Sequence, residues 1–396
     1  MELRKENIFN KKNIVFIISA YCIYIVYAIF FNGFGTSAPA MMEFYGITPT
    51  RQGLIFTMQS IGTLFMAVHL ALHGERYNKI NAFAAGTLML GAGSISIGFS
   101  PPYAALVLLV ILCGIGGSAI DIMLNSMIPE LYPRQKNTLL PIAHAFFGTG
   151  AILSPLLVTT LVNLEVPSSF VRSFALIGAL GIGLFLVFFI VSRRVIPETM
   201  YADMAAVRKN VSGNPTEIFK TKIAWIFLLA AVLYFSFIVG IINWLPTYCL
   251  EIGIDFNMSG VIMTAFFVGS LIMRFCAPFI LNKMPAQKAY VLFSPLSAVV
   301  VTAALFTQNS AVMLPLVAIG GFMQGACLAF LLLMSIEAFQ HRVASASSIA
   351  FVGKGIASMT APLWMGALAE FTGLRVPLLL ICVLMIFSAI LVSRAK

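Results

Sequence analysis

The sequence predicts an all-α membrane protein, with twelve transmembrane helices arranged as two six-helix bundles. Three observations predict it. The 396-residue chain is 60% hydrophobic and only 10% charged, where a soluble domain carries roughly 25% charged residues. Twelve mostly apolar runs of spanning length, about 20 residues each, are centred near residues 28, 61, 90, 115, 152, 181, 236, 268, 296, 324, 357 and 383. The two halves of the chain match residue by residue at one offset of 207. The composition argues against a soluble enzyme, and the short connections leave no room for a separate soluble domain.

The first element begins like a signal peptide, with Arg4, Lys5, Lys11 and Lys12 ahead of an apolar stretch. That stretch is about 30 residues long and lacks a small-x-small cleavage pattern, so it reads as a retained first span. The charges set the orientation of the rest. With a cytoplasmic N-terminus, nineteen of the 24 Lys and Arg fall in cytoplasmic segments. Arg51, Arg172 and Arg375 lie on the opposite side, and Arg274 and Lys354 lie inside spans. This is the positive-inside bias, with both termini in the cytoplasm of a cell (inner) membrane. The net charge of +10 is then a topology signal, and nucleic acid is not an expected partner. The six cysteines form no CxxC pair, so neither a zinc site nor a disulfide framework is expected. No metal and no cofactor are expected.

The repeat sets the domains. Gly53, Ile55, Thr57, Gly62 and Leu64 match Gly260, Ile262, Thr264, Gly269 and Leu271. The same offset pairs Gly33 with Gly240, Pro39 with Pro246, Gly46 with Gly253 and Gly114 with Gly321. It also pairs Glu130 with Glu337, Gly148 with Gly355 and Pro155 with Pro362. Two bundles of like orientation, 1–192 and 223–396, are expected to be related by an axis along the membrane normal. The polar, basic segment 193–222 would be a cytoplasmic linker. The shared Gly and Pro residues describe close packing and bends.

Function should lie where the repeat is broken. Asp121 and Asn125 face Leu328 and Leu332 in the alignment, and His144 faces Phe351. Arg274 corresponds to Ala67 and Lys354 to Phe147. Intramembrane ionisable residues are costly and commonly face a bundle interior or wet cavity. Gly114, Gly117, Asp121 and Asn125 fall on one helical face by their spacing. A buried ion pair that only locks helices is the plainer reading of Asp121. His144 could relay protons or bond a solute, or pack as a neutral imidazole. Arg274 could snorkel to the cytoplasmic surface or pair with Asp121. Lys354 sits between glycines in "FVGKGIAS", about 15 Å into its span, too deep for easy snorkelling. It would meet an anionic group or Asp121. Gln59, Asn32, Asn243, Trp244 and Gln324 could line a cavity or join helices by hydrogen bonds.

The whole-length pattern resembles the major facilitator superfamily. The loop "HGERYNKI" (His73 to Ile80) is similar to a degenerate copy of that family's G-x-L-a-D-R-x-G-R-R signature. Glu75, Arg76 and Lys79 take its charged positions. They form an expected cytoplasmic gate with Glu130, Lys283, Glu337 and Arg342. "DIMLN" followed by "IAHAFFGTGAILSPLL" resembles the fucose/glucose–proton symporter branch, whose fourth span has an acidic residue and then Asn. That branch's acidic residue in the first span has no counterpart in "FFNGFGTSAPAMM". Arg274 with Lys354 resembles the basic pair of carboxylate exchangers in the same superfamily.

The expected function is secondary active transport of a small polar solute, a sugar-like molecule or an organic acid. Alternating access is the expected mechanism, with H+ as candidate coupling ion. The lipid bilayer is the expected environment and a monomer the expected form. No GxxxxGK[ST] motif is present, so ATP hydrolysis is not the expected energy source. The alternatives are an organic-anion exchanger or symporter using Arg274 and Lys354, a drug efflux pump, and a receptor or scaffold without flux.

Overall fold

The computed structural model describes residues 11–74, 77–132, 135–195, 220–339 and 343–395. Nearly all of them are helical. The N-terminal half holds α1 (Lys11–Tyr45), α2 (Pro49–His73), α3 (Lys79–Ile97), α4 (Tyr103–Leu131), α5 (Lys136–Leu161) and α6 (Phe170–Val195). The C-terminal half holds α7 (Lys222–Glu251), α8 (Phe256–Leu281), α9 (Ala286–Phe306), α10 (Ser310–Gln324), α11 (Cys327–Ala338), α12 (Val343–Thr372) and α13 (Arg375–Ser393). An apolar solvent demands this outcome, because a helix satisfies its backbone groups within one segment.

Among the described residues, eleven helical runs are long and apolar enough to cross a membrane. The tenth run, Ser310–Ala338, is a broken span. Its helix stops at Gln324 and restarts at Cys327, so α10 and α11 share one predicted run. The eleventh predicted run is α12. It is 30 residues long, but Lys354 and its many Ser, Thr and Gly residues make it less apolar than its neighbours. The predicted linker lies largely outside the described residues, as do the gate residues Glu75, Arg76 and Arg342.

The chain divides into two compact units. One takes in Met1–Phe31, Met58–Ala151 and Phe170–Ser212; the other takes in Asn32–Thr57, Ile152–Ser169 and Gly213–Lys396. In the first, α3 packs against α4 and α6. In the second, α8 packs on α10, and α7 packs on α12 and α13. The first turns of α2 and the last turns of α1 and α5 therefore pack with the C-terminal helices.

The sequence repeat reappears as repeated contacts. Gly62 of α2 sits on the Ile111 carbonyl of α4, and its counterpart Gly269 of α8 sits on the Ala318 carbonyl of α10. Gly114 sits on the Gln59 carbonyl, and Gly321 on the Phe266 carbonyl. All four contacts preserve the offset of 207. A Cβ at any of them would strike backbone, which cannot yield as a side-chain tip can. Gly46 and Gly253 close the first hairpin of each half at φ +58 and +85, a conformation that favours glycine.

Candidate functional site

The site in the first unit is built on α1, α4 and α5. Tyr24 of α1 donates its hydroxyl to Asp121 Oδ1 of α4 at 2.6 Å. One turn on, Asn125 donates to the same oxygen at 3.1 Å and to the Asp121 backbone carbonyl at 2.8 Å. Spacing on α4 explains the second bond, because residues four apart are neighbours on one helix face. Every side-chain hydrogen bond of Asp121 among the described residues falls on Oδ1. The residue is half-buried, and Oδ2 takes none of them.

Aromatic rings enclose the bonded side of this carboxylate. Tyr24 stacks with Tyr27 at 6.0 Å between centroids, and both rings meet Phe147 of α5, at 5.2 and 5.7 Å. Tyr27 covers Gly117, where a Cβ would collide with its ring. This accounts for the small residue one turn before Asp121. Tyr24 and Tyr27 are buried. His144 of α5 is exposed, with its ring 6.0 Å from that of Tyr24. The structure thus brings Asp121, Asn125 and His144 around one buried tyrosine. Tyr24 and Tyr27 were missed by reading ionisable groups alone. The signal was the run "YCIYIVY", tyrosines at 21, 24 and 27, three residues apart in the middle of a span.

A second polar cluster lies in the other unit. Arg274 of α8 is exposed, and its Nε donates to the Gly325 carbonyl at 3.4 Å. Gly325 is where α10 breaks, so the carbonyl that receives Arg274 is at a helix end. Gln324 is buried and accepts from the Tyr234 hydroxyl at 3.3 Å. Lys354 of α12 is half-buried. Its neighbour Gly353 lets α12 approach α7 at Ala231 and Val232.

The other candidates lie away from these two clusters. Asn32 and Gln59 are buried. Asn243 backs onto Gly35, and Trp244 is fully buried against Phe56 with ring centroids 5.6 Å apart. Of the gate residues, Lys79 in the first turn of α3 forms an ion pair with Glu130 near the end of α4. Lys79 is buried and Glu130 reaches solvent. Lys283 and Glu337 are exposed. Among the described residues, no three His, Cys, Asp or Glu side chains group so as to hold a metal ion.

Comparison with known proteins matches this architecture. The family model described as Major Facilitator Superfamily matches residues 20–301 and 250–395. A gentisate transporter of Corynebacterium glutamicum is 28% identical over 160 residues, which is 39% of this chain and 36% of that protein. The chain thus aligns with about a third of the length of that curated relative. Among solved structures, a bacterial homologue of the human lysosomal transporter Spinster, inward-facing and unoccupied, superposes with a TM-score of 0.78 at 14% identity. That match covers 98% of this chain and 97% of the other. The nucleoside transporter NupG gives a TM-score of 0.78 at 14% identity, over 97% of this chain and 99% of the other. At these identities the superpositions speak to the fold alone.

Proposed function

We propose that this chain, which belongs to the major facilitator superfamily and is therefore a transporter rather than an enzyme, carries a small polar solute by alternating access. The observation that carries the reading is the presentation of Asp121. Two protein donors hold Oδ1 and leave Oδ2 for a donor on the solute. Asp121 is only half-buried, so Oδ2 can be reached by a donor from outside the three helices. His144 borders the same face and supplies a second titratable group. The proton is therefore the coupling ion to test first, in symport. The similarity of "DIMLN" to the sugar–proton symporter branch supports a hydroxyl-rich solute. The charge placement supports cytoplasmic termini in a cell membrane.

A second reading is favoured by two observations. Arg274 presents a guanidinium on an exposed face of α8, and the gentisate transporter of the comparison is named for an organic acid. Under this reading the solute is a carboxylate, gripped by charge-assisted bonds to Arg274 and Lys354. A thermal-shift panel of sugars, monocarboxylates and dicarboxylates on the purified protein separates the two. Proteoliposome uptake of any hit follows, with Asp121→Asn and with Arg274→Gln. Loss in Asp121→Asn alone supports the hydroxyl reading. Loss in Arg274→Gln, with sugars failing to compete, supports the carboxylate reading. Full uptake in both variants overturns the site.

A further inference from the structure

Five side chains of the second unit bury polar atoms that reach no hydrogen-bond partner among the described residues. They are the hydroxyls of Thr36 on α1, Thr247 on α7 and Ser358 on α12, both amide atoms of Gln52 on α2, and the indole nitrogen of Trp244 on α7. Thr36, Gln52 and Trp244 are each 0% exposed. Helical spacing sets them along one seam: Gln52 shares a face with Phe56, Thr247 with Trp244 and Ser358 with Pro362 and Gly366, and Thr36 adjoins Gly35. Gly35 of α1 rests on the backbone of Ile242 and Asn243, Gly53 of α2 rests on Pro362 of α12, and Gly366 of α12 meets both Pro49 and the Trp244 ring. Phe56 stands edge-on to Trp244, and Gln52 precedes Phe56 by one turn on the same face.

The seam is held by shape and a few hydrogen bonds. Thr57 donates to the Met359 carbonyl at 2.8 Å, and the Thr50 N–H donates to Glu370 at 3.0 Å. The repeat builds a second copy between α5 and α8. There Thr264 donates to the Ile152 carbonyl at 3.1 Å, and Gly260 meets Pro155. At the position matching Gln52, the second copy has Ser259, which donates to the Phe256 carbonyl at 2.7 Å. The α1–α2–α7–α12 seam thus departs from its copy by enclosing an amide with no partner among the described residues. A buried polar group without a partner opposes the packing that encloses it.

We propose that Gln52 and the four other unpaired groups of this seam are a built-in release. They keep the close-packed seam short-lived, because opening it restores their hydrogen bonds to water. This rests on the alternating-access reading, in which the seam opens once per cycle. Gln52→Met keeps length and volume and removes the amide. Thr247→Val does the same for a hydroxyl at a second place. The reporter is Thr36→Cys, which reacts with N-ethylmaleimide only when the seam opens. It is measured on the full chain in isolated membranes, above the background of the six native cysteines. The expected result is labelling slowed about tenfold by Gln52→Met, equivalent to ~1.4 kcal/mol. Thr247→Val should slow it by a smaller factor, and both variants should melt at or above the parent temperature. Equal or faster labelling in folded variants overturns the proposal while leaving the carrier reading intact. A Thr36→Cys protein that is folded yet never labels overturns both, because the seam then does not open.

Discussion

Replacing Tyr24 with Phe tests the core of the site with one atom. The ring keeps its packing on Tyr27 and Phe147, and the 2.6 Å hydrogen bond to Asp121 is lost. Tyr24 is 2% exposed, so water does not readily take the place of the missing hydroxyl. A hydrogen bond to a charged group contributes ~1.5–3 kcal/mol. Asn125 still holds the same oxygen at 3.1 Å, which argues for the lower end of that range. If Tyr24 fixes the carboxylate in its solute-ready orientation, ~1.5 kcal/mol weakens solute affinity about tenfold. Tyr27→Phe is the control. Its hydroxyl makes no hydrogen bond among the described residues, and its ring contacts survive the change. Its affinity should stay within about twofold of the parent, as expected where no mechanism of loss is present. The assay is calorimetric binding of the solute found by the thermal-shift panel, with melting temperature recorded in parallel. Equal affinities for Tyr24→Phe, Tyr27→Phe and the parent would refute the positioning role. A fall in both variants alike would show that the rings matter and the hydroxyl does not.

Three other outcomes are expected. Gly62→Ala and Gly269→Ala should each destabilise the protein by about 1–3 kcal/mol, since each new methyl meets a carbonyl of the facing helix; Gly183→Ala, whose Cβ would meet nothing within 4 Å, should be neutral or slightly stabilising in the same thermal melts. Glu130→Gln should lower the melting temperature by removing the carboxylate that pairs with the buried Lys79 ammonium, and adding Lys79→Met should recover part of the loss, as removal of both partners of an ion pair often does. With cytoplasmic termini, a cysteine moved to Asn210 should resist an impermeant maleimide in intact cells while one at Ser168 reacts, and the reverse pattern would invert the proposed orientation.

Much of the fold was legible because the bilayer writes it in composition. Spans of about 20 apolar residues and the glycine matches at one offset are local features of the chain. The glycines predicted to bring helices close do so at Gly62, Gly114, Gly269 and Gly321. Asp121 stood out for the same reason, as a charge in an apolar run. Its partner did not, because Tyr24 lies 97 residues away and a tyrosine fits an apolar pattern. The break between α10 and α11 was hidden too, since hydropathy cannot see a lost backbone bond. Arg274 looked like a snorkelling residue or a partner for Asp121, and its bond to the Gly325 carbonyl depends on that break. The Gln52 seam was invisible for a different reason. An unpaired amide is a property of packing among four helices, and the sequence shows only a Gln near the start of a span.

The central claim is that Asp121 is a working residue of a transport path. The most direct measurement is initial-rate uptake of the identified solute into proteoliposomes, comparing the parent with Asp121→Asn under an imposed proton gradient. Asn is close to isosteric and can still accept from Tyr24, so the bundle should fold and melt near the parent temperature. The account predicts that Asp121→Asn loses gradient-driven uptake by at least about tenfold, the least expected of one charge-assisted bond. Uptake at the parent rate, with the same response to the gradient, would contradict it.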